Sequence, residues 1–279
     1  PFVTALAAHL PIWGEVELAY RFARGRIAAI TGTNGKTTTT ALTGEIMKDY
    51  YESVFVVGNI GIPYTSTAAL TRPDSVTMAE ISSFQLETID TFHPQVSAIL
   101  NITPDHLNRH HTMENYIKAK EDITKNQGTA DACVLNYEDE VLRAFGQTLK
   151  TRVIWFSGVQ PLEEGLWFDG KSIFIRRDGQ TEKVCDISEL NLLGRHNYEN
   201  VMAAVAISLE LGVPMDSIRG TLRRFTAVEH RIEFVAEKNG VAYYNDSKGT
   251  NPDAAIKGIQ AMNRPTLLIG GGYDKESSY

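Results

Sequence analysis

Residues 26–48 carry the pattern that most restricts the fold. An apolar run, Arg26-Ile-Ala-Ala-Ile30, leads into Thr31-Gly-Thr-Asn-Gly-Lys-Thr-Thr38 and then into a stretch of helical character. Strand, glycine turn and helix in that order make a phosphate-binding loop, because the turn's N–H groups and the helix N-terminus face a pocket sized for phosphate oxygens. Gly32, Thr33, Asn34, Gly35, Lys36, Thr37 and Thr38 are the candidate contacts. Lys36 offers positive charge to the β- and γ-phosphates, and the Thr37 hydroxyl is a hard ligand for Mg²⁺. Only two residues separate Gly32 from Gly35, where the general G-x-x-x-x-G-K-[ST] pattern has four. The short form argues against an ordinary GTPase or kinase and points to a narrower group of ATP users.

The alternation continues beyond the loop. Strands are expected at 26–31, 53–57, 75–80, 96–102, 131–136 and 152–156, and helices at 37–48, 83–89 and from the N-cap Thr112 to about 126. Strands alternating with helices imply an α/β fold with a central, mostly parallel sheet flanked by helices, and ligands at the strands' carboxyl ends. Asp169-Gly170 between apolar runs predicts a small β-hairpin over 166–177. Helices follow at 198–211, closed by Gly212, and at 215–225. After His230-Arg231 the pattern restarts as strand 241–245, helix 252–262 and strand 266–269. That unit is too little sheet for an independent domain, so the chain reads as cut at its C-terminus.

With 43% hydrophobic and 22% charged residues, the chain has the composition of a soluble globular protein. A net charge of −7 argues against nucleic-acid binding. Cys133 and Cys185 show no metal or redox spacing, which fits a reducing cytoplasm. Residues 1–20 are broken by Pro11, Glu15 and Glu17 and form neither signal peptide nor membrane span.

Several residues beyond the loop suit chemistry, each with a plainer alternative. Glu80 ends a strand beside the loop, where a Mg²⁺ ligand or a surface charge would sit. Ser82 and Gln85 read as a helix capping box. Pro104 leaves Asp105 and His106 on a rim loop; His106 is a metal ligand or an unremarkable polar residue, and His110 and His111 read as ordinary loop residues. Lys120 shares a helical face with Tyr116, Ile117, Ile123 and Thr124. A lysine there pairs with a carboxylate, is used chemically, or snorkels, the reading its residues favour. Asn197 and Asn200 lie on one helical face and match an adenine edge, or Asn197 is simply an N-cap. Arg231 reaches a nucleotide across a cleft or forms an interface salt bridge, and Asp246 and Lys248 lie in a polar loop suited to ribose hydroxyls and phosphate charge.

Order and spacing bind these weak signals together. Gly32-Thr-Asn-Gly-Lys-Thr37, Gly58-Asn-Ile-Gly61, Glu80-Ile-Ser-Ser-Phe-Gln-Leu-Glu87, Thr103-Pro-Asp-His106, Tyr116-x-x-Ala-Lys120, His196-Asn-x-x-Asn200, His230-Arg-Ile-Glu233 and Asn245-Asp-Ser-Lys-Gly-Thr-Asn-Pro252 together resemble the Mur ligase family of ATP-dependent amide-forming enzymes. The resemblance implies three domains: the exit of an N-terminal UDP-binding domain at 1–22, a central ATP-binding domain at 23–231, and the opening of a Rossmann-like amino-acid-binding domain at 232–279. It implies that Lys120 becomes a carbamate, joining His106 on one Mg²⁺ while Thr37 and Glu80 hold another. Lys36, His106, Lys120 and Lys248 would be catalytic. Asn197 and Asn200 would hold adenine, Arg231 and Asp246 the rest of ATP, Lys248 the transferred phosphoryl, and Asn59 and Ser82 the sugar-nucleotide substrate.

Within the family, residues 245–252 point to the branch that adds D-glutamate to UDP-N-acetylmuramoyl-L-alanine through an acyl phosphate, for peptidoglycan precursor synthesis. The implied protein is a cytoplasmic monomer with no nucleic-acid or membrane partner. Asn108 departs from the expected Asp-His-x-Asp, a change for loop packing rather than chemistry. Another Mur-type or folylpolyglutamate-type ligase, and a truncated nucleotide-binding module without turnover, remain as alternatives.

Overall fold

In the computed structural model, which describes residues 12–226 and 228–272, strand β1 (Arg26–Thr31) lies inside the sheet, buried on both faces. Successive strand side chains point to opposite faces, so Ala28 and Ile30 enter one core and Ile27 and Ala29 the other. The remaining strands of this sheet are β2 (Val54–Gly58), β3 (Val76–Glu80), β4 (Val96–Ile99), β5 (Ala132–Asn136), β6 (Arg152–Ser157), β7 (Gly165–Phe168), β8 (Ser172–Arg177) and β9 (Gln180–Asp186). Their order is β2-β3-β1-β4-β5-β6-β7-β8-β9, parallel as far as β7 and antiparallel thereafter. The expected hairpin is therefore the margin of the main sheet, extended by β9, which the sequence reading did not include.

The helices are α1 (Glu15–Phe22), α2 (Lys36–Lys48), α3 (Tyr64–Ala68), α4 (Ser83–Leu86), α5 (Leu107–His110), α6 (Met113–Glu121), α7 (Glu140–Gly146), α8 (Arg195–Glu210), α9 (Met215–Arg224) and α10 (Pro252–Gln260). Apolar residues of α2, α8 and α9 fill the core on one sheet face, and those of α1, α3, α4, α6 and α7 the other. Starts follow local chemistry: Thr112 accepts from Asn115 N–H at α6, Ser82 and Gln85 form the expected capping box at α4, and Asn251 caps α10 with Pro252 behind it. No helix among the described residues is long and apolar enough to cross a membrane.

Two elements differ from expectation. Helix α8 starts at Arg195 behind Gly194 (φ +90°), so Asn197 lies inside its first turn and is not the cap. Residues 266–269 form no strand; Leu267 and Ile269 are about nine-tenths exposed, with no described strand beside them to pair with. In this region β10 (Glu233–Lys238) instead pairs antiparallel with β11 (Val241–Asn245).

Helix α1 is fastened by one side chain. The fully buried Glu17 carboxylate accepts from Asp90 N–H (2.8 Å), Thr91 N–H (3.0 Å), Thr91 Oγ1 (2.7 Å) and Phe92 N–H (2.9 Å), and pairs with Arg21 at 2.8 Å. Burial pushes its pKa up, but the bonds from Thr91, Asp90 and Phe92 outweigh that and hold it at about 2.

Candidate functional site

Because β3, β1 and β4 run parallel, their carboxyl ends open along one rim, where α/β sheets bind ligands. The register sets Ile30 beside Glu80 and Thr31 beside Ile99, so the glycine loop emerges between Glu80 and the segment after β4. Gly35 has φ +88°, and a Cβ added there would lie 2.2 Å from Asn200 Oδ1; only glycine fits both demands. Asn101 holds the loop, accepting from Thr33 N–H through its carbonyl (2.9 Å) and from Asn34 N–H through Oδ1 (2.8 Å). Thr33 Oγ1 donates to the Thr103 carbonyl at 3.0 Å and lies 3.0 Å from the Tyr116 hydroxyl.

Two lysine nitrogens meet at a single carbonyl. Lys36 Nζ and Lys120 Nζ each donate to Gly32 O at 2.8 Å, and Lys36 also reaches Thr33 O at 2.9 Å. Lys120 is only 2% exposed and sits 4.7 Å from the Tyr116 ring centroid, so snorkelling is excluded. Burial, and then the charge of Lys36, push its pKa well below the usual lysine value, with Asp105 opposing. Lys36 is shifted down too, chiefly by burial, while Glu80 and Asp105 act against the shift and Arg231 with it.

Glu80 is 1% exposed; Oε1 accepts from Asn59 Nδ2 at 2.8 Å, and Oε2 is buried with no hydrogen-bond partner. Asn59 N–H also donates to the Glu80 carbonyl at 2.9 Å. An orphaned carboxylate oxygen at a phosphate loop fits a hard cation that takes its remaining ligands from Thr37, phosphate and water. Thr37 is half-buried and Thr38 buried, both in the first turn of α2. No group of three or more His, Cys, Asp or Glu among the described residues forms a metal cage. Lys120 as an amine supplies no anionic ligand to a cation.

His106 caps α5 in a left-handed conformation (φ +54°), exposed, with its ring 5.0 Å from Phe84 and Nε2 3.7 Å from Asp105. His110 is no loop residue: it ends α5 at 4% exposure, with Nε2 2.9 Å from Ser83 Oγ and Nδ1 3.3 Å from Glu87. Ser82 Oγ is engaged with Gln85.

The loop opens into a cleft lined by Gly35, Asn200, Glu199, Arg231, Asp246 and Lys257. Asn197 Nδ2 donates to Leu193 O (2.7 Å) and its Oδ1 accepts from Asn200 Nδ2 (3.2 Å), which fixes both amides on one face of α8. Arg231 Nε is buried without a partner. Burial, opposed by the charges of Asp246 and Glu80, lowers the Arg231 pKa, and burial raises that of Asp246. Lys248 stands apart: its side chain is exposed, and it is not among the charges acting on Lys36 or Lys120. The start of α10 reaches the loop through Asn34 Nδ2 to Asp253 (2.7 Å) and Asn251 Nδ2 to Asn34 Oδ1 (3.2 Å). The sequence reading gave no role to Asn101, Asn251 or Asp253; only the strand-end position of Asn101 hinted at one.

The Mur ligase middle domain family matches residues 30–208. The chain is 64% identical over 273 residues to "UDP-N-acetylmuramoylalanine--D-glutamate ligase" of Lachnoclostridium phytofermentans, covering 98% of this chain and 60% of that protein. It is 58% identical over 272 residues to the protein of that name from Lachnospira eligens, again 98% and 60%. Thus the chain spans about three fifths of the length of these curated relatives. Among solved structures, MurF from Acinetobacter baumannii shares the fold with TM-score 0.68 at 21% identity, over 87% of this chain and 55% of that one. MurF ligase from Thermotoga maritima, solved in complex with ADP, has TM-score 0.66 at 21% identity, over 88% and 60%.

Proposed function

The chain belongs to the Mur ligase family through its middle domain, and from that premise we propose that it forms the ATP-using centre of a cytoplasmic ligase joining D-glutamate to UDP-N-acetylmuramoyl-L-alanine. The product feeds peptidoglycan synthesis. We read residues 23–231 as the central domain, 1–22 as the exit of a UDP-binding domain and 232–279 as the opening of an amino-acid-binding domain. The observation that carries the reading is the meeting of the glycine loop, Lys36, Lys120 and the unpartnered Glu80 oxygen in one place.

In this mechanism the alanyl carboxylate attacks the γ-phosphorus of ATP, the bond to the bridging oxygen breaks, and ADP leaves. The amine of D-glutamate then attacks the acyl phosphate carbon; phosphate departs and the amine loses its proton. Lys36 and the loop N–H groups grip the triphosphate, while Arg231 and Asp246 hold the ribose and phosphates, and Asn197 and Asn200 the adenine. Asn59 and Ser82 face the sugar nucleotide, and Lys248 meets the transferred phosphoryl once the following domain brings it inward. Mg²⁺, held by Thr37 and Glu80 at one site and by His106 and carbamylated Lys120 at another, would neutralise phosphate charge. The lowered Lys120 pKa favours carbamylation, since only a neutral amine attacks CO₂ and releases a proton. Positioning and fixed charge supply most of the rate.

Titration of the chain with Mg-ATP tests the nucleotide site: binding is expected, and Lys36→Ala should abolish it. The isolated chain should make little amide, because it spans about three fifths of the length of its curated relatives. In a longer polypeptide carrying this chain, ADP release should require both UDP-N-acetylmuramoyl-L-alanine and D-glutamate. Release supported equally by L-alanine or diaminopimelate would overturn the substrate assignment.

A further inference from the structure

Glu199 lies beside Asn200 on α8 and lines the cleft next to Gly35 and Phe156, yet nothing in the reaction above uses it. The carboxyl is largely withdrawn from solvent. It is also wedged in place: a Cβ added to Gly158 would lie 2.4 Å from Oε1. No hydrogen bond or ion pair reaches it from the described residues. Lys257, a cation of the cleft whose charge acts on it, is engaged with Asp253 at 2.9 Å. Burial raises the Glu199 pKa, with the charges of Lys257 and Arg195 opposing and those of Glu138 and Asp253 adding to the shift.

Such a group needs a donor, and in a ligand cleft the ligand is the natural source. ATP carries few donors. Its phosphates are acceptors, and a carboxyl would repel them; they belong with Lys36 and the N–H groups of the glycine loop. The ribose hydroxyls fall to Asp246 in the reading above. The group left over is the exocyclic amine of the base, which belongs at the Asn200 side of the cleft, where Glu199 sits. We propose that Glu199 is a base-contacting residue whose carboxyl oxygen accepts a hydrogen bond from the 6-amino group of adenine, so that it sets base specificity. This inference rests on the nucleotide-site reading of the same cleft.

The test compares ATP with purine riboside 5′-triphosphate, which lacks only the 6-amino group, by equilibrium titration of the chain. The unaltered chain should prefer ATP by roughly tenfold, the worth of one good hydrogen bond in a desolvated site. Glu199→Ala should bind both ligands alike, at the unaltered chain's affinity for the analogue. Glu199→Gln, whose amide oxygen still accepts, should keep the preference. Glu199→Met, similar in size but without an acceptor, should lose it and serves if the alanine variant does not fold. No preference in the unaltered chain, or an equal weakening of both ligands by Glu199→Ala and Glu199→Met, would overturn the proposal while leaving the nucleotide site intact. Failure of the unaltered chain to bind ATP at all would overturn the site reading and this inference with it.

Discussion

Replacing Glu17 by glutamine puts an amide at a fully buried position into which three backbone N–H groups and a threonine hydroxyl point. A carboxylate accepts from all of them; the amide has one oxygen and an NH₂ that opposes donors. The magnitude follows from the pKa, which falls from 4.5 to about 2 on folding. At about 1.4 kcal/mol per unit, the ionised form contributes roughly 3 kcal/mol. The sign is that of a depressed acid. The contribution is complete above the unfolded value of 4.5 and disappears as pH falls through about 2. Urea unfolding of Glu17→Gln at pH 7 should therefore show an unfolding free energy lowered by roughly 3 kcal/mol, seen as a lower midpoint at unchanged slope. Between pH 5 and 2 the parent should lose stability more steeply than the variant. An unchanged midpoint at pH 7, or identical acid limbs, would refute the assignment of this carboxylate as the fastening between α1 and residues 90–92.

Three further outcomes are expected. Gly35→Ala places a side chain at φ +88° against Asn200 Oδ1; it should cost about 1–3 kcal/mol of stability by chemical denaturation and abolish Mg-ATP binding by titration. Lys120→Met removes a buried ammonium while Lys36 keeps Gly32 O satisfied, so in CO₂-free buffer it should stabilise the ligand-free chain by about 1–3 kcal/mol. The lowered lysine pKa makes parent stability rise with pH toward the ordinary lysine value of 10.5; the variant should rise less, and equal alkaline limbs would contradict this. Cys133 and Cys185 are buried, with thiols pushed up to about 12, so iodoacetamide should modify them only after unfolding, as read by intact mass.

The parallel sheet and the glycine loop were legible because their signals are local: runs of apolar residues, glycines before Lys36, and caps such as Thr112 and Ser82. Short elements such as α3 and α7 carry too few residues to show a period, and β10 gains its identity only by pairing with β11. The failures at single residues share one cause. Helical spacing gave Lys120 an inward face but could not say what covers it; the covering group is the carbonyl of Gly32, 88 residues away. His110 looked like loop because its partners, Ser83 and Glu87, come from α4 and the residue that ends it. Glu17 counted only against a membrane span, since the backbone it binds lies more than seventy residues on.

The shared carbonyl of Gly32 has a consequence for recognition. With two basic side chains crowded onto one oxygen, each disfavouring the other's charge, any compact polyanion brings relief. Tripolyphosphate or pyrophosphate would do so as readily as a nucleotide tail, despite the acidic character of the chain as a whole. Attraction at that end admits guests by charge without inspecting their identity. Discrimination among nucleotides therefore falls to the distal part of the cleft, where contacts are directional and individually weak.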